Sequence, residues 1–351
     1  MNKDFPVFFQ AVRLPVVALC LLFGLQGLAG AADAGVGSKK HVPDTLPLTL
    51  VADEPLGGRP TRLDYESYDS QRHLLFIAHL GDSALIVFDT QKQRVVTRIP
   101  GIGKVHGVLV VPELGRVYAS ATGTNEIAVI DEDSLKVVTR VPAGVYPDGM
   151  AYAPEVRRLY VSDEHGGTDT LIDVDANQVV ATIPLGGEVG NTQYDPVSRH
   201  IFVNVQTRGQ LVEIDPVTNT VVDRIDIPGA LENHGLLIMP GQRLAFIACQ
   251  GNHKLLAFSL ESRRVVATFD VGADPDVLAA DEQRGWVYVA SEAGVVSLFE
   301  VRGNTVRPLA EERLASKAHV VAVDPVTHRV YFPLENSQGK TMLRIMQVRA
   351  D

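Results

Sequence analysis

The chain has 351 residues, 46% hydrophobic and 21% charged, with a formal net charge of −10 at pH 7. This composition excludes a disordered chain. The acidic balance, with no basic stripe, excludes a general nucleic-acid binder, because phosphate contacts need clustered Lys and Arg.

Residues 1–34 read as a secretory signal peptide. Lys3 and Arg13 precede an apolar run over 14–25 that is too short and too Gly-broken for a membrane span. Ala29-Gly30-Ala31 fits an A-x-A cleavage site, and cutting after Ala34 also fits. Cys20, after Leu19 inside the apolar run, is an ordinary signal-core residue. The expected mature protein is periplasmic or secreted and has no transmembrane segment. A linker over 35–44 leads into one domain over 45–351, expected to be a monomer. Cleavage leaves Cys249 as the one thiol, so stability must come from a core and not from disulfides.

An isolated strand pattern at 46–52 comes first, and then a segment centred on an aromatic recurs seven times. The aromatics are Phe76, Tyr118, Tyr160, Phe202, Phe246, Tyr288 and Tyr331, spaced 42, 42, 42, 44, 42 and 43 residues apart. Each copy predicts four short strands. In the second copy these fall near 108–111, 117–120, 127–131 and 137–141, β-branched runs broken by Gly, Pro and Asp. Asp89, Asp131, Asp173 and Asp215 end the third strand at the same phase, where an Asx turn is expected. Four strands in a period of about 40–45 residues are the signature of a propeller blade. The last repeat reaches its third strand at 341–348, so the strand at 46–52 is expected to complete that blade and close the ring. The fold class is thus all-β: a seven-bladed propeller of four-stranded antiparallel blades.

The aromatic strands Leu159-Tyr160-Val161-Ser162 and Ile201-Phe202-Val203-Asn204, with the turn Asp215-Pro216-Val217-Thr218-Asn219, resemble the YVTN family of β-propeller repeats. The resemblance covers about residues 46–350. It implies an exported or surface propeller and assigns no activity.

Twelve residues before each aromatic, where each innermost strand begins, stand Asp64, His106, Asp148, Gly190, His234, Asp276 and His319. YVTN members more often show Pro-x-Gly there, as in Pro147-Asp148-Gly149, and the imidazoles depart from that pattern. Equivalent positions in a propeller form a ring, with neighbours about 6 Å apart at a typical channel radius of roughly 7 Å. Six Asp and His side chains converging there suit a divalent transition metal such as Zn, Mn or Fe better than Ca²⁺, which prefers oxygen alone. Gly190 leaves a vacant place that an open coordination position or substrate access would use. A polar ring binding an organic ligand without metal, and a solvated rim of Asp and His pairs, are the competing readings. Candidates to orient the ring are His79, Asp163 and Cys249, three residues past their aromatics, with Glu188, Asn191 and Asn233 beside the ring positions. Cys249 would be buried, a soft ligand or a reactive thiol.

No nucleophile elbow, phosphate loop, H-E-x-x-H or haem-attachment motif is present. The ring therefore carries the functional expectation: metal ion and/or small ligand bound at one channel mouth. Two expressions of it are a hydrolase such as a lactonase, and oxidative chemistry at a redox metal. The alternative is a non-catalytic scaffold recruiting a protein or cell-envelope partner.

Overall fold

The computed structural model describes residues 42–349. The signal peptide expected over 1–34 and the linker as far as residue 41 lie outside the described residues. Seven four-stranded antiparallel sheets follow one another, as blade 1 (66–100), blade 2 (105–142), blade 3 (147–184), blade 4 (189–226), blade 5 (233–270), blade 6 (275–313) and blade 7 (322–348). Blade 2 shows the pattern: Val105–Val111 lines the axis, followed outward by Arg116–Ala121, Glu126–Asp131 and Lys136–Pro142. Strand Leu48–Pro55 pairs antiparallel with Lys340–Val348 as the outermost strand of blade 7, Leu48 opposite Val348 and Pro55 opposite Met342.

The burial pattern explains the sequence pattern. The two middle strands of a blade are packed on both faces, so they read as continuous apolar runs; the outer strand alternates, as in Lys136–Pro142. All seven repeat aromatics are buried. Each contributes about 1.5–3 kcal/mol of apolar burial. The core is divided into seven clusters, one at each blade–blade interface. Phe76 and Val117 share the cluster between blades 1 and 2, and Leu75 and Tyr331 that joining blade 7 to blade 1. The turn aspartates behave as expected: Asp89 Oδ1 accepts the Gln91 and Lys92 amides at 3.0 and 2.8 Å, and Asp173 Oδ1 those of Asp175 and Ala176 at 3.0 and 2.8 Å.

Two local features aim residues into the channel mouth. In blades 2–6 the pairing register of the inner strand slips at its start, between Val105 and Val108 in blade 2 and between Pro147 and Met150 in blade 3. His106, Asp148, Gly190, His234 and Asp276 sit in these bulges, outside the ladder, which is how a bulge re-aims a side chain. Two residues earlier the chain turns through the left-handed region at Lys104, Tyr146, Asp274 and Lys317, with φ of 45°, 63°, 52° and 62°. Below the mouth the inner strands enclose a cavity of about 610 Å³ along the axis, lined by Tyr65, Leu109, Gln193 and Leu236 among others.

Candidate metal centre at the channel mouth

All six Asp and His ring residues are buried. Five of them, Asp64, His106, Asp148, His234 and Asp276, meet at a cavity of about 130 Å³ that Arg62, Tyr65, Tyr146 and Glu164 also line, and His319 is packed behind its wall. They do not form a uniform ring. Asp276, His319 and Glu292 draw together, with one ligand-type atom from each lying within 4.8 Å of the others. His319 Nε2 is 3.9 Å from Asp276 Oδ2 and 3.9 Å from Glu292 Oε1. His319 Nδ1 lies 2.9 Å from the Lys317 carbonyl, which only accepts, so Nδ1 carries the proton. In the neutral ring Nε2 then presents a lone pair, and in the protonated ring it is the cation facing Asp276 and Glu292. It is fully buried, has no hydrogen-bond partner, and faces two carboxylates.

Cations border this cluster. Arg62 Nε donates to Asp64 Oδ2 at 2.9 Å, its NH1 donates to Glu292 Oε1, and its NH2 lies 3.9 Å from Asp276 Oδ2. Lys317 Nζ donates to Glu292 Oε2 at 2.8 Å. Burial alone would raise the Glu292 carboxyl, but His319, Lys317 and Arg62 hold it down at about 2. Asp276 goes the other way: burial pushes it up to about 7, against the pull of His319. Burial also raises Asp148 well above the carboxylate range, helped by Glu164, Asp64 and Asp276, and its Oδ1 has no partner. Carboxylates crowded enough to resist ionisation mark a mouth short of positive charge.

The remaining imidazoles are engaged differently. His106 repeats the His319 geometry through Nδ1, 2.9 Å from the Lys104 carbonyl, but its Nε2 accepts the Tyr146 hydroxyl at 3.1 Å, which leaves it satisfied. Tyr146 in turn stacks on His165 with ring centroids 4.3 Å apart. The Tyr65 hydroxyl donates to Asn191 Oδ1 at 2.9 Å, so its oxygen accepts the proton on His234 Nε2 at 3.1 Å. His234 Nε2 lies 3.6 Å from both Asp148 and Asp276. Burial lowers the His106 and His234 pKa values, which favours the neutral rings. Tyr65 therefore reaches from blade 1 across the axis and floors the mouth.

The vacant place at Gly190 has a packing origin. A Cβ there would lie 2.5 Å from the His234 carbonyl oxygen and 2.8 Å from its Cα, so no side chain fits. Of the residues expected to orient the ring, Asn191 does so through Tyr65. Asn233 acts through backbone: its Nδ2 donates to Asn204 Oδ1 at 3.0 Å, and Asn204 donates to the His234 and Gly235 carbonyls. Glu188 pairs with His165 at 3.4 Å on the exposed rim. His79 is bound up with Thr61 and Arg98 and touches no ring side chain, while Asp163 accepts Gly144 N, Thr168 and Thr170 and pins a turn. Cys249 is buried, and that burial pushes its thiol up to about 11, which makes it inert.

Arg62, Tyr65, Glu292 and Lys317 escaped the sequence reading. One signal was available: the residues four past the aromatics are Thr122, Glu164, Gln206, Gln250, Glu292 and Glu335 in blades 2–7, a second polar ring one step beyond the phase that yields His79, Asp163 and Cys249.

No protein-family model and no curated protein sequence matches this chain. Solved structures do. The WD40 repeats of RRP9 superpose with a TM-score of 0.73 at 11% identity, covering 86% of this chain and 100% of that one. Kuenenia stuttgartiensis hydrazine synthase gives 0.70 at 13% identity over 90% and 99%, and Staphylococcus aureus virginiamycin B lyase 0.70 at 11% over 86% and 100%. At such identities the likeness is one of fold, and the chain is a seven-bladed β-propeller similar to proteins of unrelated names.

Proposed function

We propose that this chain is an exported, YVTN-like propeller whose channel mouth holds a divalent transition-metal ion on Asp276, Glu292 and His319, with coordination positions left for a small ligand. The observation that carries the reading is the buried, unpartnered Nε2 lone pair of His319, aimed at two carboxylate oxygens 3.9 Å away. With His319 neutral, its Nε2 and the two carboxylates supply three ligand atoms within 4.8 Å of one another, a place for a cation beside the Arg62 and Lys317 side chains that already border it. One imidazole and two carboxylates are a donor set for Zn, Mn or Fe. The hydrogen bond from His319 Nδ1 to the Lys317 carbonyl is the outer-shell contact that orients a ligating imidazole. A resident metal of this kind polarises a bound oxygen or lowers the pKa of a bound water.

Elemental analysis by plasma mass spectrometry tests the reading, on untagged mature protein purified without chelators. About one equivalent of a transition metal is expected. Protein that carries none, and takes up none on titration with Mn²⁺ or Zn²⁺, would assign Arg62 and Lys317 as the permanent counter-ions of Glu292. The working surface would then be sought on the outer faces, as for a scaffold.

A further inference from the structure

We infer that the ligand taken by the metal-loaded mouth is a small carboxylate, gripped between the metal and the Arg62 guanidinium; this rests on the metal reading above. The argument follows the hydrogen bonds of Glu292. Both its oxygens are occupied by cationic donors, Oε1 by Arg62 NH1 and Oε2 by Lys317 Nζ. A metal ion on Glu292 and Asp276 competes for those lone pairs and for the same negative charge. Arg62 NH1 then loses Glu292 Oε1 while staying beside the ion, and Lys317 keeps its bond to Oε2.

Arg62 is not free to leave. Its Nε remains donated to Asp64 Oδ2 at 2.9 Å, so the guanidinium stays at the mouth with its NH1 and NH2 edge turned towards the Asp276 and Glu292 side. Asp64 is thus a positioning residue for Arg62. A planar fork with two unsatisfied N–H groups next to an open metal position is complementary to a carboxylate, which gives one oxygen to each. Lys317 adds a third donor on the same side. Charge points the same way. A divalent ion neutralises Asp276 and Glu292, and Asp64 neutralises Arg62, so Lys317 is left in excess on that wall. The Glu164 carboxylate, which accepts from the uncharged Gln206 amide at 3.2 Å, lies on the opposite wall, so the positive surplus is local to the Arg62 and Lys317 side.

Volume bounds the ligand. The mouth cavity of about 130 Å³ has room for a carboxylate of about two to four carbons, given about 30 Å³ for each water displaced.

Calorimetry with glycolate as the probe, and ethylene glycol as its uncharged counterpart, tests the inference on mature protein with and without Mn²⁺. Glycolate is expected to bind the Mn²⁺-loaded protein at least about tenfold more tightly than the metal-free protein, and ethylene glycol not measurably. Arg62→Gln is expected to weaken glycolate about tenfold or more while Mn²⁺ affinity holds or rises, since a competitor for Glu292 is gone. Lys317→Gln serves as a second variant should Arg62→Gln misfold by circular dichroism, with a smaller loss of glycolate binding expected. Protein that binds Mn²⁺ yet takes glycolate equally with and without it, or is indifferent to both substitutions, overturns the carboxylate inference and leaves the metal site standing. Failure to bind Mn²⁺ at all removes the metal reading and this inference together.

Discussion

The Tyr65 hydroxyl, on the chain entering blade 1, lies 3.1 Å from His234 Nε2 at the start of blade 5, on the far side of the axis. Through this bond and the one to Asn191 it ties three blades together and separates the mouth from the larger axial cavity. Tyr65→Phe keeps the ring and deletes the bridge, leaving the His234 N–H and Asn191 Oδ1 without it. A loss of about 1–3 kcal/mol in unfolding free energy by urea titration is expected. An unchanged midpoint and slope would mean that the bridge is not formed in solution.

His319 and His106 hold equivalent places in the repeat and make the same bond from Nδ1, so they form a controlled pair. The difference is at Nε2, which Tyr146 covers in His106 and nothing covers in His319. His319→Ala is expected to weaken Mn²⁺ binding by about a hundredfold, whereas His106→Ala changes it less than about threefold. Titration calorimetry on both variants, each checked for native circular dichroism, decides. Equal losses would return the metal to the ring as a whole.

Away from the mouth, the buried Glu132 carboxyl accepts from Arg72 at 3.1 Å, and burial together with the Asp69 carboxylate raises it to about 8 from an ordinary 4.5. Between those values the folded protein keeps a proton that the unfolded chain has released. Stability therefore falls as pH rises from about 4.5 and levels off above about 8. Glu132→Gln mimics the protonated form, so it is expected to stabilise the protein at pH 9, by on the order of 1–3 kcal/mol, and far less at pH 5. Urea unfolding at the two pH values measures the difference, and an equal effect at both would show that Glu132 does not titrate on unfolding.

Gly190→Ala places a methyl 2.5 Å from the His234 carbonyl oxygen. A backbone shift costing about 1–3 kcal/mol is expected. Gly241→Ala, with no heavy atom within 4 Å of its added Cβ, is the neutral control. Thermal unfolding of the two variants in parallel checks the contrast, and a Gly190→Ala protein as stable as the control would refute the close approach.

The propeller was legible because its physics repeats. Phe76, Tyr118 and the five aromatics after them each fill a blade interface, so the requirement for a large buried ring recurs with the blade itself. Asp276 and His319 were legible for the same reason, since a fixed distance from the aromatic reaches the mouth in every blade. Glu292 belongs to the second polar ring, at an offset that carries Glu, Gln and Thr and so announces no single chemistry. Arg62 and Tyr65 could not be found by phase. They act because side chains on the chain entering blade 1 reach residues of other blades, contacts that no spacing within one repeat encodes. A cross-blade neighbour likewise separates His106, whose Nε2 Tyr146 covers, from His319, which the residue type alone makes equivalent.

The register slips at the head of the inner strands have a consequence for how such a molecule changes over time. Residues held in a bulge contribute no ladder hydrogen bond, so outside blade 4, where the His234 backbone excludes a Cβ at Gly190, the ladder does not dictate which side chain stands there. Asp, His and Gly already occupy the same place in successive blades of this one chain, while the aromatic two strands' length away is kept as Phe or Tyr in all seven. Chemistry at the mouth can thus drift, be lost or be rebuilt one blade at a time, and the protein that carries it will go on folding.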